Sequence, residues 1–187
     1  MASSYSTDLK LELMVTGENA GTWGDKTNTN LNLVQQAVAG YEAISIAGGA
    51  QTTALVMSNA QVSNARNAVI KFTGTITGNQ IVTVPDSMEK VYTFVNGTSG
   101  AYTVQVKTAS GTGFTFAATD KGTRLAYADG TNLVDVNAAF TTINQFTLPS
   151  ADGTANQAIL TNGSGTLSFG DAGISTGKAI AMAIVFG

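Results

Sequence analysis

Cysteine and histidine are both absent from this 187-residue chain, tryptophan occurs once, and charged residues make up only 11% of it. Without thiols or imidazoles there is no Cys-His or Ser-His-Asp nucleophile, no zinc site of the usual ligand set, no His-ligated haem and no disulfide framework. The remaining catalytic hardware is carboxylate. Aromatic residues are also scarce at 7%, and Gly, Thr, Asn, Ala and Val dominate, which favours strands and turns over long charged helices. The nine Lys and Arg are scattered along a chain of net charge −3 and pI near 4.7, so the basic stripe of a nucleic-acid surface is missing and no nucleic-acid partner is expected. The strongest apolar run, "AIAMAIVF" (Ala179 to Phe186), falls far short of the roughly 18 residues of a spanning helix. No membrane insertion is expected. The opening "MASSYSTDLK" shows no cationic stretch followed by an apolar one, so a cytosolic origin is expected rather than secretion.

The length supports one ordinary domain with small elements at each end. Three segments can be distinguished: 1–40, 41–137 and 138–187. In the first, "DLKLELMV" (Asp8 to Val15) alternates Leu9, Leu11 and Leu13 with Lys10 and Glu12, a period of two that reads as a half-buried strand. A Gly- and Asn-rich loop, "TGENAGTWGDKTNTNLN", then carries Trp23, the single indole of the chain. Asp25 or Asn28 can cap a helix running to about Ala39, with Gly40 as its stop. Leu31, Val34 and Val38, extended by Tyr41, recur at i, i+3, i+7 and i+10, one apolar stripe that needs a surface to lie on.

From 41 to 137 the pattern becomes short β-rich runs punctuated every 8 to 12 residues by turn signals. Strands are expected near 42–47, 52–57, 67–75, 80–84, 90–96, 101–107, 113–118, 123–128 and 132–137. Reading the intervening turns as hairpin loops sets a register. Across Asn96 to Gly100 it places Phe94 opposite Tyr102 and Tyr92 opposite Val104. Across "ASGTG" it places Val106 opposite Phe114 and Val104 opposite Phe116, and across "TDKG" Phe116 opposite Leu125 and Phe114 opposite Tyr127. One continuous apolar face follows, backed by a polar face of Thr93, Thr103, Gln105, Lys107 and Thr115. The fold class expected is mainly β: an antiparallel β-sandwich or meander with one short N-terminal helix and an extended C-terminal arm.

The arm is nearly uncharged. The Asn162-Gly163 turn separates Ile159 and Leu160 from Leu167 and Phe169, a small hairpin, and Asp152-Gly153 marks a second turn. So much exposed apolar content with so little charge points to completion by another chain. Candidate chemistry is thin. "AGISTGKA" lacks the leading Gly of a phosphate loop and the Ser/Thr after Lys178, so it reads as a flexible turn. The carboxylate pairs Asp86/Glu89 and Asp129/Asp135 each sit in turn sequences. No catalytic, cofactor-binding or metal residue is assigned, and no enzyme activity is expected. Trp23 has three readings: stacking on a sugar, anchoring a protein interface, or folding back over its own helix. The candidate protein-interface residues are Trp23, Leu31, Val34 and Val38, and in the arm Ile180, Met182, Ile184 and Phe186.

The stretch "GENAGTWGDKTNTNLN" resembles a short N-terminal motif of virion structural proteins of tailed bacteriophages, especially marine phages infecting cyanobacteria, where it opens tail fibres and related proteins. "VYTFVNGTSGAYTVQVKTASGTGFTF" with "YADGTNLVDV" is similar to β-modules of such fibres, and "LPSADGTANQAILTNGSGTLSFGD" to a repeat of their distal parts. The resemblance implies a structural role in the virion, with assembly in the host cytoplasm, a homo-oligomer that is trimeric as phage fibres are, other virion proteins as partners, and a host surface glycan as a further one. A tail fibre or tail-associated component is the reading it favours. A head decoration protein or a small glycan-binding adhesin is the alternative, and a carboxylate-based depolymerase a third.

Overall fold

Short polar runs separate the β-rich stretches of 41–137, and most of them prove to be corners of a coil rather than hairpin loops. The computed structural model describes residues 3–136, 142–143, 145–171, 173, 180 and 183–185, and the chain divides into two compact units, Met1–Asn137 and Ala138–Gly187. The first unit begins with β1 (Ser4–Tyr5) and β2 (Glu12–Leu13), which pair antiparallel, and α1 (Trp23–Ala39). Then come β3 (Tyr41–Ser45), β4 (Gln51–Ala54), a 3-10 turn at Asn64–Arg66, β5 (Val69–Thr73), β6 (Gln80–Val84), β7 (Glu89–Asn96), β8 (Val104–Thr108), β9 (Gly113–Phe116), β10 (Thr123–Asp129) and β11 (Leu133–Asp135).

Successive strands alternate between two sheets. β3, β5 and β7 stack in parallel in one, and β4, β6 and β8 stack in parallel in the other. Tyr41 lies beside Val69 and Val69 beside Thr93, so the chain returns to the next layer after 28 and then 24 residues. Hydrogen bonding continues round the corners: the Ile46 and Gly48 N–H groups donate to the Thr73 and Thr75 carbonyls, and Ser99 N–H donates to Gly74 O. Three layers are therefore wound as a coil. After β8 the winding reverses. β9 runs back antiparallel along β8, β10 lies antiparallel along β7, and β11 closes a hairpin with β10. The sheets read β11-β10-β7-β5-β3 and β4-β6-β8-β9.

The fold is mainly β with sandwich-like sheets and one helix, but both sheets are mixed, which overturns the antiparallel meander. Of the three register expectations, the "ASGTG" one holds: Val106 faces Phe114 and Val104 faces Phe116. The other two fail because β7 and β8, and likewise β9 and β10, lie in opposite sheets. Asn96 to Gly100 is a corner, and β10 pairs with β7 so that Ala126 faces Tyr92. Leu125 and Tyr127 consequently point outward, while Ala126 and Ala128 are buried. The reason is volume. Tyr92 and Phe94 fill the space between the sheets, and only a methyl fits beside them.

Those rings organise the core. Phe72 stacks on Phe94 at 5.8 Å between centroids, Tyr92 on Phe94 at 5.2 Å, and Phe94 meets Phe114 of the other sheet at 6.0 Å. Each such pair adds about 0.5–1.5 kcal/mol beyond its buried area. The buried Tyr92 hydroxyl donates to Ala65 O, and burial raises its pKa. At the reversed end, the Arg124 guanidinium bridges Asp120 and Asp135 and lies over the Phe114 and Phe116 rings. Corners are fastened by backbone proximity. Gly100 sits at φ +101, and a Cβ there would collide with Ile76 O. The buried Gln80 amide donates to the carbonyls of Gly48, Gly49 and Gly78, tying one corner to the next.

In the second unit β12 (Thr142–Ile143) pairs with β13 (Phe146–Thr147), and β14 (Gln157–Thr161) pairs with β15 (Leu167–Asp171). The expected small hairpin is present, but its loop spans 162–166, so Ile159 faces Phe169, and the Asn162 carboxamide oxygen accepts from Ser164 and Thr166 N–H to close it.

Candidate protein interface

Helix α1 starts at Trp23 itself, with Thr22 as N-cap and no side-chain capping bond, so neither Asp25 nor Asn28 is the cap. Asp25 falls in the first turn, where a carboxylate is favourable against the helix dipole. Thr27 and Thr29 return their hydroxyls to the carbonyls of Trp23 and Asp25, which suits threonine inside a helix poor in strong formers. Gly40 ends it as expected, donating its N–H to Gln36 O and leading in extended conformation straight into β3. The "DLKLELMV" strand shrinks to Glu12–Leu13, because Glu12 has other work.

That work is holding the helix. The Asn30 side chain mimics a strand neighbour: its oxygen accepts from Glu12 N–H at 3.0 Å and its amide donates to Glu12 O at 2.8 Å. Lys26 Nζ meets the Glu12 carboxylate at 2.9 Å, Gln36 Nε2 donates to Ser63 O, and Leu33 is fully buried. The Lys26 ammonium, followed by the Ser3 hydroxyl, holds the Glu12 carboxyl below its ordinary value. Beneath lies Arg66, fully buried. Its terminal nitrogens donate to the carbonyls of Leu9, Ser58 and Gln61, binding the N-terminal segment to the coil.

At 100° per residue, Lys26, Asn30, Leu33 and Gln36 mark the attached side of α1, while Trp23, Leu31, Val34 and Val38 fall in an arc of about 80° centred roughly 120° further round. The helix is therefore held by its polar side, and the apolar stripe faces away. Trp23 is 63% exposed, Leu31 62%, Val34 37% and Val38 75%. The indole is thus mostly in solvent. Of the arm candidates, Ile180 and Ile184 are exposed, whereas Met182 and Phe186 lie outside the described residues, as does nearly all of "AGISTGKA".

Sequence reasoning missed a second apolar surface. On the outer side of the five-stranded sheet, Val91 stands beside Tyr127, and the Tyr41, Val69 and Thr93 row continues to Leu125 and Val136. The signal was in "TRLAYAD", which alternates large and small residues on a period of two but does not say which set faces inward.

Three of the four carboxylates considered for catalysis have structural partners. Asp86 accepts from Ser110 N–H, Asp135 pairs with Arg124, and Asp129 accepts from Thr131 and Asn132 N–H, which lowers its pKa. Among the described residues no three or more of His, Cys, Asp and Glu gather as a metal site, and no helix is long and apolar enough to cross a membrane. No protein-family model, no curated protein and no solved structure matches the chain.

Proposed function

We propose that this chain is a structural protein of a bacteriophage virion, a tail fibre or tail-associated component that acts in assembly through protein–protein contacts and forms a homotrimer. One observation carries the reading. The segment that resembles the phage motif is the one whose helix is fastened by polar residues while Trp23, Leu31, Val34 and Val38 face solvent. A helix that spends its hydrogen bonds on attachment and leaves its apolar residues outside is built to receive a partner. Affinity then rests on buried apolar area, so raising salt should hardly weaken it. The test is particle assembly with Trp23→Ala. Incorporation should fall at least tenfold while the unfolding transition of the purified protein stays in place. Wild-type incorporation by the variant, or absence of the chain from purified particles, defeats the proposal.

The exposed indole among Thr22, Gly24 and Asn19 also suits a host-glycan adhesin, since a ring face beside polar groups can stack on a sugar. A glycan array separates the two: binding by wild type that Trp23→Ala abolishes selects the adhesin.

A further inference from the structure

The chain contains two Asn-Gly dipeptides in nearly the same local sequence, "NGTSG" at Asn96 to Gly100 and "NGSG" at Asn162 to Gly165, and the fold treats them in opposite ways. We infer that Asn162 is a site of spontaneous covalent modification: the Gly163 backbone nitrogen attacks the Asn162 side-chain carbonyl carbon, ammonia leaves, and water opens the resulting cyclic imide to aspartate or isoaspartate. Asn96 is protected from the same reaction. The inference concerns the second unit alone and does not depend on the virion reading.

The reaction needs an unhindered backbone nitrogen, a polarised side-chain carbonyl and a leaving amide that water reaches. Asn162 meets all three needs. The Gly163 N–H is held by the neighbouring Thr161 hydroxyl at 3.1 Å, and its residue sits at φ +75 with open space where a Cβ would lie. The Asn162 carboxamide oxygen accepts from Ser164 and Thr166 N–H at 2.8 and 3.0 Å, two donors placed where negative charge develops as the carbonyl is attacked. The residue is exposed, and none of its described hydrogen bonds holds the carboxamide nitrogen. Asn96 is the reverse. It is fully buried, donates its carboxamide N–H to Asp120 O at 2.7 Å and accepts from the Thr98 hydroxyl. The Gly97 N–H is committed to Phe72 O of the preceding layer at 2.9 Å, so cyclisation would leave buried groups of a coil corner unpaired.

Modification changes the second unit in two ways. The side chains of 138–187 carry charge only at Asp152, Asp171 and Lys178, so either product doubles the net negative charge of the segment. Aspartate keeps an oxygen for the Ser164 and Thr166 N–H groups. Isoaspartate instead lengthens the main chain by a methylene at the start of the 162–166 loop and turns the former carboxamide oxygen into a backbone carbonyl, which undoes the turn that sets Ile159 opposite Phe169. Purified full-length protein, aged in warm, mildly alkaline buffer and mapped by peptide mass spectrometry, reads both sites at once. Asn162 should convert at least tenfold faster than Asn96 and give aspartate and isoaspartate together, the latter detected by enzymatic methylation of its carboxylate. In denaturing urea the two sites should react at similar rates, because only the fold separates them. Equal rates in the folded protein, or faster loss at Asn96, overturn the inference, as does an Asn162 that stays intact while the denatured chain reacts. Aspartate without isoaspartate overturns the cyclic-imide route. Hydrogen exchange tests the consequence: amides of 157–161 should lose protection in the isoaspartyl fraction and keep it in Asn162→Asp, and equal protection in both overturns the loosening of the hairpin.

Discussion

Lys90 is where single-residue physics is most visible. Its ammonium lies 4.1 Å from the centre of the Tyr92 ring, donates to the carbonyls of Asn67 and Val91, and is pushed down to about 8, chiefly by burial and then by the Arg66 charge. A base whose pKa is lower folded than unfolded favours folding once it is neutral. Stability should therefore rise between about pH 8 and the unfolded value of 10.5. Tyr92 works oppositely: its raised pKa makes stability fall above about pH 10. Urea titrations across pH 7–11 should show a maximum just above pH 10, and Lys90→Met should flatten the rising limb, worth on the order of 2 kcal/mol. Gly100 gives a steric counterpart. Gly100→Ala combines a left-handed backbone with a collision against Ile76 O, so a loss of about 2–4 kcal/mol is expected in denaturant unfolding. Neither property is legible in the sequence, because "NGTSGAYT" reads equally as a hairpin loop and as a corner.

Among the elements, α1 was legible and its attachment was not. The recurrence of Leu31, Val34 and Val38 gave both the helix and the stripe, and Gly40 gave its end. That the stripe faces away depends on Asn30 reaching the backbone of Glu12 and on Arg66 holding Leu9, contacts across 18 and 57 positions that no local pattern encodes. Arg66→Met would leave three carbonyls without their donor, and a cost of about 2–4 kcal/mol follows. Limited proteolysis should then cut the variant first within 3–13, where wild type resists. The strands show the same division. All nine predicted between 41 and 137 have counterparts, because alternation and turn residues are local, yet sheet membership followed the coil. The β8–β9 hairpin obeyed the register rule, and β7–β8 did not, although both connections carry Gly and Ser.

For the molecule as a whole, the buried cluster runs from Ile46 to Leu133, entirely within the first unit. A chain ended at Asn137 should keep the melting temperature of the coil within a few degrees in calorimetry, and a large drop would show that the second unit supports the first. Sequence composition gave the mainly-β class but not the winding, since parallel layers joined mostly by short corners leave the same alternation as an antiparallel sheet. The reversal at β9 has a further meaning. β9 and β11 close one end of the stack, where Leu133 N–H donates to Thr112 O, whereas β3, which α1 enters directly, and β4 stay at the sheet edges. Duplicating a block such as 69–92, one turn of the coil, would insert another layer and lift the helix farther from the closed end, with copied Phe72 and Tyr92 rings supplying the contacts to Phe94. The fold behaves as a ruler with a fixed zero, and its reach is set by how many layers are copied beneath the helix.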